Sequence, residues 1–177
     1  METQHIILLI INIVGGIAVI GSYIVGIKTQ PGGANALWGG VPPNVRPVYG
    51  VSMVLSALGY FAFLYFILFE IVPDEVLIGG RFDFSVFYVI FLVILLPSAL
   101  WMPLTNVYIG NHRTGIKIGV RIILALVGLA SIALVWSILS LETRTPNVPY
   151  WLAVAGSSYF AFHTAILDGI IWSILFK

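Results

Sequence analysis

Five long apolar stretches dominate this sequence and limit what it can fold into. They cover about residues 6–27, 48–71, 84–102, 118–141 and 150–176. The hydrocarbon core of a bilayer is about 30 Å thick, and a helix needs roughly 20 apolar residues to cross it. Because lipid offers no partner to backbone polar groups, such uninterrupted runs favour helices over barrel strands. The sequence therefore predicts an all-α integral membrane bundle of five transmembrane helices, with residues 1–177 as a single domain.

The composition agrees with lipid as the main solvent of this chain. Hydrophobic residues make up 60% and charged residues 8%, whereas soluble domains carry about a quarter charged residues. A net charge of +1 gives no footprint for nucleic acid. The absence of cysteine excludes disulfides and cysteine-ligated metal sites. Since no basic residue precedes Lys28, the first stretch does not resemble a cleaved signal peptide, and we expect a retained membrane helix.

The basic residues predict the orientation in the membrane. An odd number of helices places the first loop, the third loop and the C-terminus on one face. That face carries bases and no acids, namely Lys28, Arg46, Arg113, Lys117, Arg121 and Lys177. The other face carries Arg81 and Arg144 beside the acids Glu2, Glu70, Asp74, Glu75, Asp83 and Glu142. Because Lys and Arg accumulate on the cytoplasmic side, we expect an external N-terminus and a cytoplasmic C-terminus.

The first loop, residues 28–46, is the longest connection and contains Trp38 and the run Val41-Pro42-Pro43-Asn44. Long loops in compact proteins often act as lids or binding elements. A segment at the membrane interface, anchored by Trp38, explains the same residues equally well. Both interpretations place the loop against the cytoplasmic end of the bundle.

Asp168 lies inside the last stretch, about two turns from its end. An ionisable group at such a depth is usually paired or functional. Helical spacing places Ser157, Ala161, Thr164 and Asp168 on one face, which also suits a packing stripe in which Asp168 bonds a neighbouring helix. Because Arg121 has a similar depth in the fourth stretch, we expect an Arg121–Asp168 interaction, direct or through water.

His163 in the same stretch is a weak metal candidate. A neutral imidazole can ligate the metal of a haem or chlorophyll, but no second histidine lies inside a membrane stretch. The favoured interpretation is a buried histidine bonded by Tyr159 or by a carbonyl. The sequence contains no metal-ligand spacing, nucleophile elbow or phosphate-binding glycine motif.

The third stretch contains Pro97 and Pro103, which are expected to bend a helix and free carbonyl groups. Trp101 lies between them. Trp101 and Trp172 are therefore the tryptophans that we expect in the wall of a pocket.

The order of these signals resembles the translocator protein family, also called tryptophan-rich sensory or peripheral benzodiazepine receptor proteins. Three-quarters of the chain takes part in the resemblance. The residues that carry it are Pro42-Pro43-Asn44, Pro47-Val48-Tyr49, Leu100-Trp101-Met102-Pro103-Leu104, His112-Arg113, Pro149-Tyr150 and Leu167-Asp168 before Trp172. The sequence departs from the family pattern at Ser98 and Asp168, where the family has asparagine, and keeps only Trp38 of the first-loop signature.

The resemblance implies a five-helix protein whose long first loop covers a ligand pocket. The implied ligand is a hydrophobic small molecule, tetrapyrrole or sterol-like, with transport or sensing as the broader role. A mostly apolar pocket with a few polar groups suits such a ligand. The implied ligand-binding residues are Pro42, Pro43, Tyr49, Ser98, Trp101 and Asp168.

Two other functions remain open at the level of sequence. One is an accessory structural or pigment-binding subunit of a respiratory or photosynthetic membrane complex; a homodimer is equally compatible. The other is an enzyme like the five-helix sterol isomerases, which use buried acids and histidine for proton transfer. His163 and Asp168 are five residues apart, about 140° around an α-helix, and this angle speaks against their forming a unit.

A reporter fused after Lys177 tests the predicted orientation. In a bacterial membrane, a fluorescent protein at this position should fold in the cytoplasm and alkaline phosphatase should stay inactive, because the basic loops are retained inside. As a control, a fusion truncated after Gly80 in the second loop should give the opposite pattern. An external C-terminus would refute the topology and the placement of the first loop.

Overall fold

The structure is a computed structural model that describes residues 2–176. Within this range five helices are long and apolar enough to cross a membrane, and a short helix lies between the first two of them. In chain order the helices are α1 (Thr3–Thr29), α2 (Gly33–Ala36), α3 (Arg46–Phe69), α4 (Ser85–Asn111), α5 (Thr114–Leu139) and α6 (Val148–Leu175). The predicted all-α bundle of five transmembrane helices is confirmed, and the chain is a multi-pass membrane protein.

Helix α4 ends nine residues later than the sequence predicts, because it continues through both Pro97 and Pro103 to Asn111. The helix continues after Pro103, although proline has no backbone N–H and so removes one hydrogen bond of the helix. The helix ends at His112, which adopts a left-handed conformation (φ 48°) and donates its backbone N–H to the Tyr108 carbonyl at 2.7 Å. Since α5 begins at Thr114, the third loop is only two residues long.

The five spans form an incomplete ring in the order α3, α6, α5, α4 and α1. Each packs along its neighbours in this order, whereas α1 and α3 touch only sparsely. We call this boundary the α1/α3 seam. Side chains bridge it near the N-terminus of the chain, where Tyr60 donates to Asn12 (2.5 Å) and His5 bonds the Ile71 carbonyl (3.1 Å).

The N-terminus, the second loop and the fourth loop meet at one end of the bundle. Gln4 donates to Asp74 at 3.1 Å, the Gly79 N–H donates to the Ser140 carbonyl at 2.8 Å, and the Glu142 N–H donates to the Leu77 carbonyl at 3.0 Å. This end carries the acidic residues outside the spans, and the first and third loops lie at the other end. Lys177 lies outside the described residues.

The two halves of the bundle have different cores. The half near the N-terminus is packed with phenylalanine, including the fully buried Phe63, Phe87 and Phe91. There the backbones of α3 and α6 approach so closely that a Cβ on Gly59 would lie 2.6 Å from the Gly156 carbonyl oxygen. The half near the first loop, here called the first-loop half, has a smaller cluster built around Tyr49 and Trp172.

Candidate functional site

The polar site of this protein is created by an unusual segment of α6. After the α-helical part Val148–Ala161, residues Phe162–Trp172 form a π-helix, and one α turn, Ser173–Leu175, follows. Because i→i+5 hydrogen bonds widen the turn to about 4.4 residues, residues five apart lie about 50° apart around the axis. His163 Nε2 consequently lies 3.5 Å from Asp168 Oδ2. The sequence argument that these two residues cannot form a unit was wrong, because it assumed α-helical spacing.

A chain of side chains leads from this pair across to α3. His163 Nδ1 and Ser52 Oγ are hydrogen-bonded at 2.9 Å, and the Tyr159 hydroxyl donates to Ser52 Oγ at 3.2 Å. In the tautomer in which Ser52 donates to Nδ1, the proton of a neutral imidazole lies on Nε2, facing Asp168. The partner of His163 is thus Ser52, and Tyr159 acts one step further away than the sequence suggested.

This series of side chains is buried at Ser52 and partly exposed at Asp168. Ser52 is 1% exposed and His163 is 6% exposed, whereas the side chain of Asp168 keeps 29% of its surface. The Tyr49 hydroxyl on α3 donates to the carbonyl of Leu167, the residue before Asp168, at 2.8 Å. Asp168 therefore lies in the first-loop half, near α3.

Arg121 does not bind Asp168 directly, contrary to our expectation from depth. Its Nη2 donates to the backbone carbonyl of Ser173 at 3.1 Å, and the Ser173 hydroxyl donates to the carbonyl of Asp168 at 3.2 Å. The depths do not match, because the carbonyl of Leu124, three residues after Arg121, faces Gly169 beside Asp168, and Arg121 itself is exposed. The arginine therefore binds the backbone at the end of α6 rather than the carboxyl group.

Aromatic rings from three helices meet beside Asp168. The Trp101 ring lies 5.6 Å from that of Tyr23 and 5.3 Å from that of Trp172, which follows Asp168 by about one turn. The indole Nε1 of Trp101 is buried and has no hydrogen-bond partner among the described residues. Ser98, one turn earlier, bonds the Ile94 carbonyl of its own helix at 2.6 Å. Trp101 thus offers a free donor, and Ser98 does not.

The first loop, residues 30–45 in the structure, packs onto the end of α6. The Leu37 carbonyl accepts from Trp172 Nε1 at 3.0 Å, and the Gly40 N–H donates to the Leu175 carbonyl at 3.1 Å. The Trp38 ring is half-buried and lies 5.8 Å from the ring of Tyr49. The loop therefore covers the bundle end, as a lid would.

The structure brings some of the predicted site residues together and separates others. Tyr49, Trp101 and Asp168 all lie in the first-loop half, and the Tyr49 hydroxyl donates to the Leu167 carbonyl at 2.8 Å. Pro42 and Pro43 are exposed on the first loop and do not belong to the buried cluster beneath it.

Two contributors escaped the sequence analysis, Tyr23 and Ser52. Ser52 and Ser56 lie one turn apart in an apolar helix, and this pair of small polar residues was the available signal. Nothing in the sequence around Tyr23 distinguishes it from the other aromatic residues near span ends.

Two surface cavities lie at the opposite end of the bundle. The larger, of about 300 Å³, is lined by residues of the second and fourth loops, among them Glu70, Glu75 and Arg144. The other, of about 270 Å³, lies between Gln4, Asp74 and Tyr88. Both are lined mainly by loop residues at the bundle end, so they differ from a pocket between helices.

Comparison with known proteins adds nothing to this geometry. No family model, curated protein or solved structure matches the chain. The resemblance to the translocator protein family stays a prediction, carried by the motifs alone. Within residues 2–176, no three His, Asp or Glu side chains converge as metal ligands would. The function must therefore be inferred from the side chains around Asp168 and Trp101.

Ser52 and Ser56 provide a matched test of the polar chain. Both are buried on α3, but Ser56 Oγ has no partner among the described residues. Ser52→Ala should lower the free energy of unfolding by about 1–2 kcal/mol, because it leaves His163 Nδ1 buried and unpaired. Ser56→Ala should be neutral or slightly stabilising. Unfolding by denaturing detergent measures both, and equal effects would mean that the Ser52–His163 bond contributes nothing.

Proposed function

We propose that this membrane protein binds a hydrophobic small molecule, tetrapyrrole or sterol-like, between its helices beneath the first loop. Transport or sensing is the broader role that the family resemblance suggests. The orientation that goes with this proposal has the N-terminus outside and the C-terminus in the cytoplasm. Its support is the charge distribution, since Lys28, Arg46, Arg113 and Lys117 gather at the first-loop end.

The unpaired indole of Trp101 carries the proposal. Buried donors are almost always bonded, so an unpaired N–H calls for a partner such as a bound molecule or an ordered water. Around it, Tyr23 and Trp172 supply aromatic surface, and Asp168 supplies a polar group. Apolar walls with a few polar groups that fix orientation are the usual character of small-molecule sites.

A ligand can reach this place by two routes. The first loop is bonded to α6 through Leu37 and Gly40, so access from the bundle end requires these bonds to open. The α1/α3 seam offers the second route, directly from the bilayer. The helices touch sparsely there, and the residues that bridge them lie towards the N-terminal end of the bundle. A lipid-soluble ligand favours the seam, since it already resides in the membrane.

Titration of the purified protein with a porphyrin and with a sterol tests the proposal. A change in the absorption band of the porphyrin should report saturable binding of the porphyrin. Displacement of the porphyrin should report binding of the sterol. Trp101→Leu should weaken that binding by about 1–2 kcal/mol, the scale of a lost aromatic contact, and Trp101→Phe should separate the loss of the N–H from the loss of the ring.

The control for this titration is Trp136→Leu. Trp136 lies on α5 near the opposite end, beside Phe82, so its loss should leave binding unchanged. Equal affinities for wild type and Trp101→Leu would remove Trp101 from the site, and absence of saturable binding to wild type would refute the proposed function.

One observation favours a second candidate, an enzyme that moves a proton on a membrane-embedded substrate. His163 and Asp168 lie 3.5 Å apart, and Ser52 fixes the imidazole from its other side. A positioned histidine and carboxyl group are the groups that acid–base catalysis requires. On an α-helix the angle between these two residues spoke against an isomerase-like reaction, but the π-helical turn brings them together.

Hydrogen exchange into a substrate tests this second candidate. Membrane lipids, including unsaturated sterols, would be incubated with the protein in deuterated water and analysed by mass spectrometry. An isomerase should place deuterium on carbon, and Asp168→Asn and His163→Gln should each abolish the label, since one group must remove the proton and the other return it. Labelling that is equal with and without the protein would exclude this reaction for the lipids tested.

A further inference from the structure

Asp168 is the one acidic residue inside the five spans of the described chain. Placing a carboxyl group in a bilayer is costly, so such a group is usually paired or functional. Its side chain is also partly open, with 29% of its surface accessible. The structure therefore holds an acceptor group at a place where lipid supplies no donor.

Three of the basic residues at this end of the bundle are engaged elsewhere. Arg121 bonds the Ser173 carbonyl. The Arg46 guanidinium lies 5.7 Å from the centre of the Trp38 ring, and the Lys117 ammonium lies 5.6 Å from the centre of the Tyr108 ring. Among the basic side chains of residues 2–176, only that of His163 comes within 4.0 Å of an Asp168 oxygen, at 3.5 Å. That separation exceeds the usual length of an N–H···O bond, so Asp168 is left without a strong partner.

The surroundings of Asp168 also suit a positive charge. Trp172 lies about one turn further along α6, Trp101 is in contact with Trp172, and Tyr23 is in contact with Trp101. Aromatic rings attract cations through their negative faces, and tryptophan does so most strongly. The attraction between a cation and a carboxylate is also greater in a low dielectric than in water.

We infer that the molecule bound between these helices is a lipophilic amine, with its protonated nitrogen at Asp168 and its apolar body along Trp101 and Trp172. The inference rests on the proposed binding of a hydrophobic small molecule at this place, and it assigns that molecule a cationic head group in place of the acid groups of a tetrapyrrole. A carboxylate on the ligand would place two like charges together beside Asp168, which disfavours a tetrapyrrole that presents its acid groups there. A hydroxyl group can donate to Asp168, but a bond between neutral and charged partners is weaker than a bond between two charges.

Three probes with one apolar body and different head groups test the inference. Pyrene with a short alkyl chain ending in a primary ammonium, a hydroxyl or a carboxylate would be titrated into the protein in phosphatidylcholine nanodiscs, with energy transfer from tryptophan as the signal. A neutral lipid avoids attraction of the cation to the membrane surface itself. The ammonium probe should bind at least about tenfold more tightly than the alcohol, and the carboxylate most weakly, because only the cation gains the attraction between opposite charges in a low dielectric.

Variants identify the group responsible. Asp168→Asn should lower the affinity for the ammonium probe far more than the affinity for the alcohol, and so remove the ammonium preference. Asp168→Glu retains the charge and should retain the preference, which provides the comparison if Asn impairs folding. Asp83→Asn, at the opposite end, is the matched control and should have no effect. A preference that survives Asp168→Asn, or equal binding of ammonium and alcohol to wild type, would overturn the inference and leave the proposed function standing. Absence of saturable binding of any probe would count against the proposed function itself.

Discussion

A bilayer offers no hydrogen-bond partner to a polar group, and this constraint decides where the polar side chains of this protein lie. Asn12 is bonded by Tyr60 across the α1/α3 seam, and Thr164 donates to Ser131 between α6 and α5 at 3.0 Å. Ser52 is bonded to His163 between α3 and α6. Each pair links two helices, so the groups that are costly in lipid also hold the bundle together. The hydroxyl groups of Ser56 and Thr105 and the Trp101 indole depart from this pattern, as does Asp168, whose nearest basic atom is 3.5 Å away.

The two halves of the bundle differ in how closely they are packed and in how far they are closed. The half near the N-terminus packs phenylalanine rings tightly and closes the seam with two side-chain bonds. The first-loop half has fewer fully buried residues, a partly open acid and a loop that covers its end. A rigid half and a less closely packed half in one ring suit a protein that must hold its shape and still admit a molecule.

Length and hydropathy were sufficient to predict five spans, because the bilayer sets the number of residues that a helix needs. Length and hydropathy could not predict the end of α4. A proline at position 103 indicates the end of a helix, but α4 continues past it to Asn111. The π-helical turn was also beyond reach, because a 3.6-residue period was assumed throughout. That assumption separated His163 from Asp168, whereas Arg121 was expected as the partner because of its depth. Tyr49, Trp101 and Asp168, which the family resemblance implied as ligand-binding residues, all lie in the first-loop half, and their role in binding stays a prediction.

The π-helical segment also joins the site to the first loop. Trp172 is its last residue, contacts Trp101 on one side and donates its indole N–H to Leu37 of the loop on the other. Ser173 bonds the Asp168 carbonyl and receives Arg121 on its own carbonyl. In the proposed site, a molecule beside Asp168 would lie near Trp172, the residue whose indole bonds the loop. A shift of Trp172 that made room for it would weaken the bond to Leu37, so the proposal implies that occupation of the site and closure of the first loop are energetically coupled.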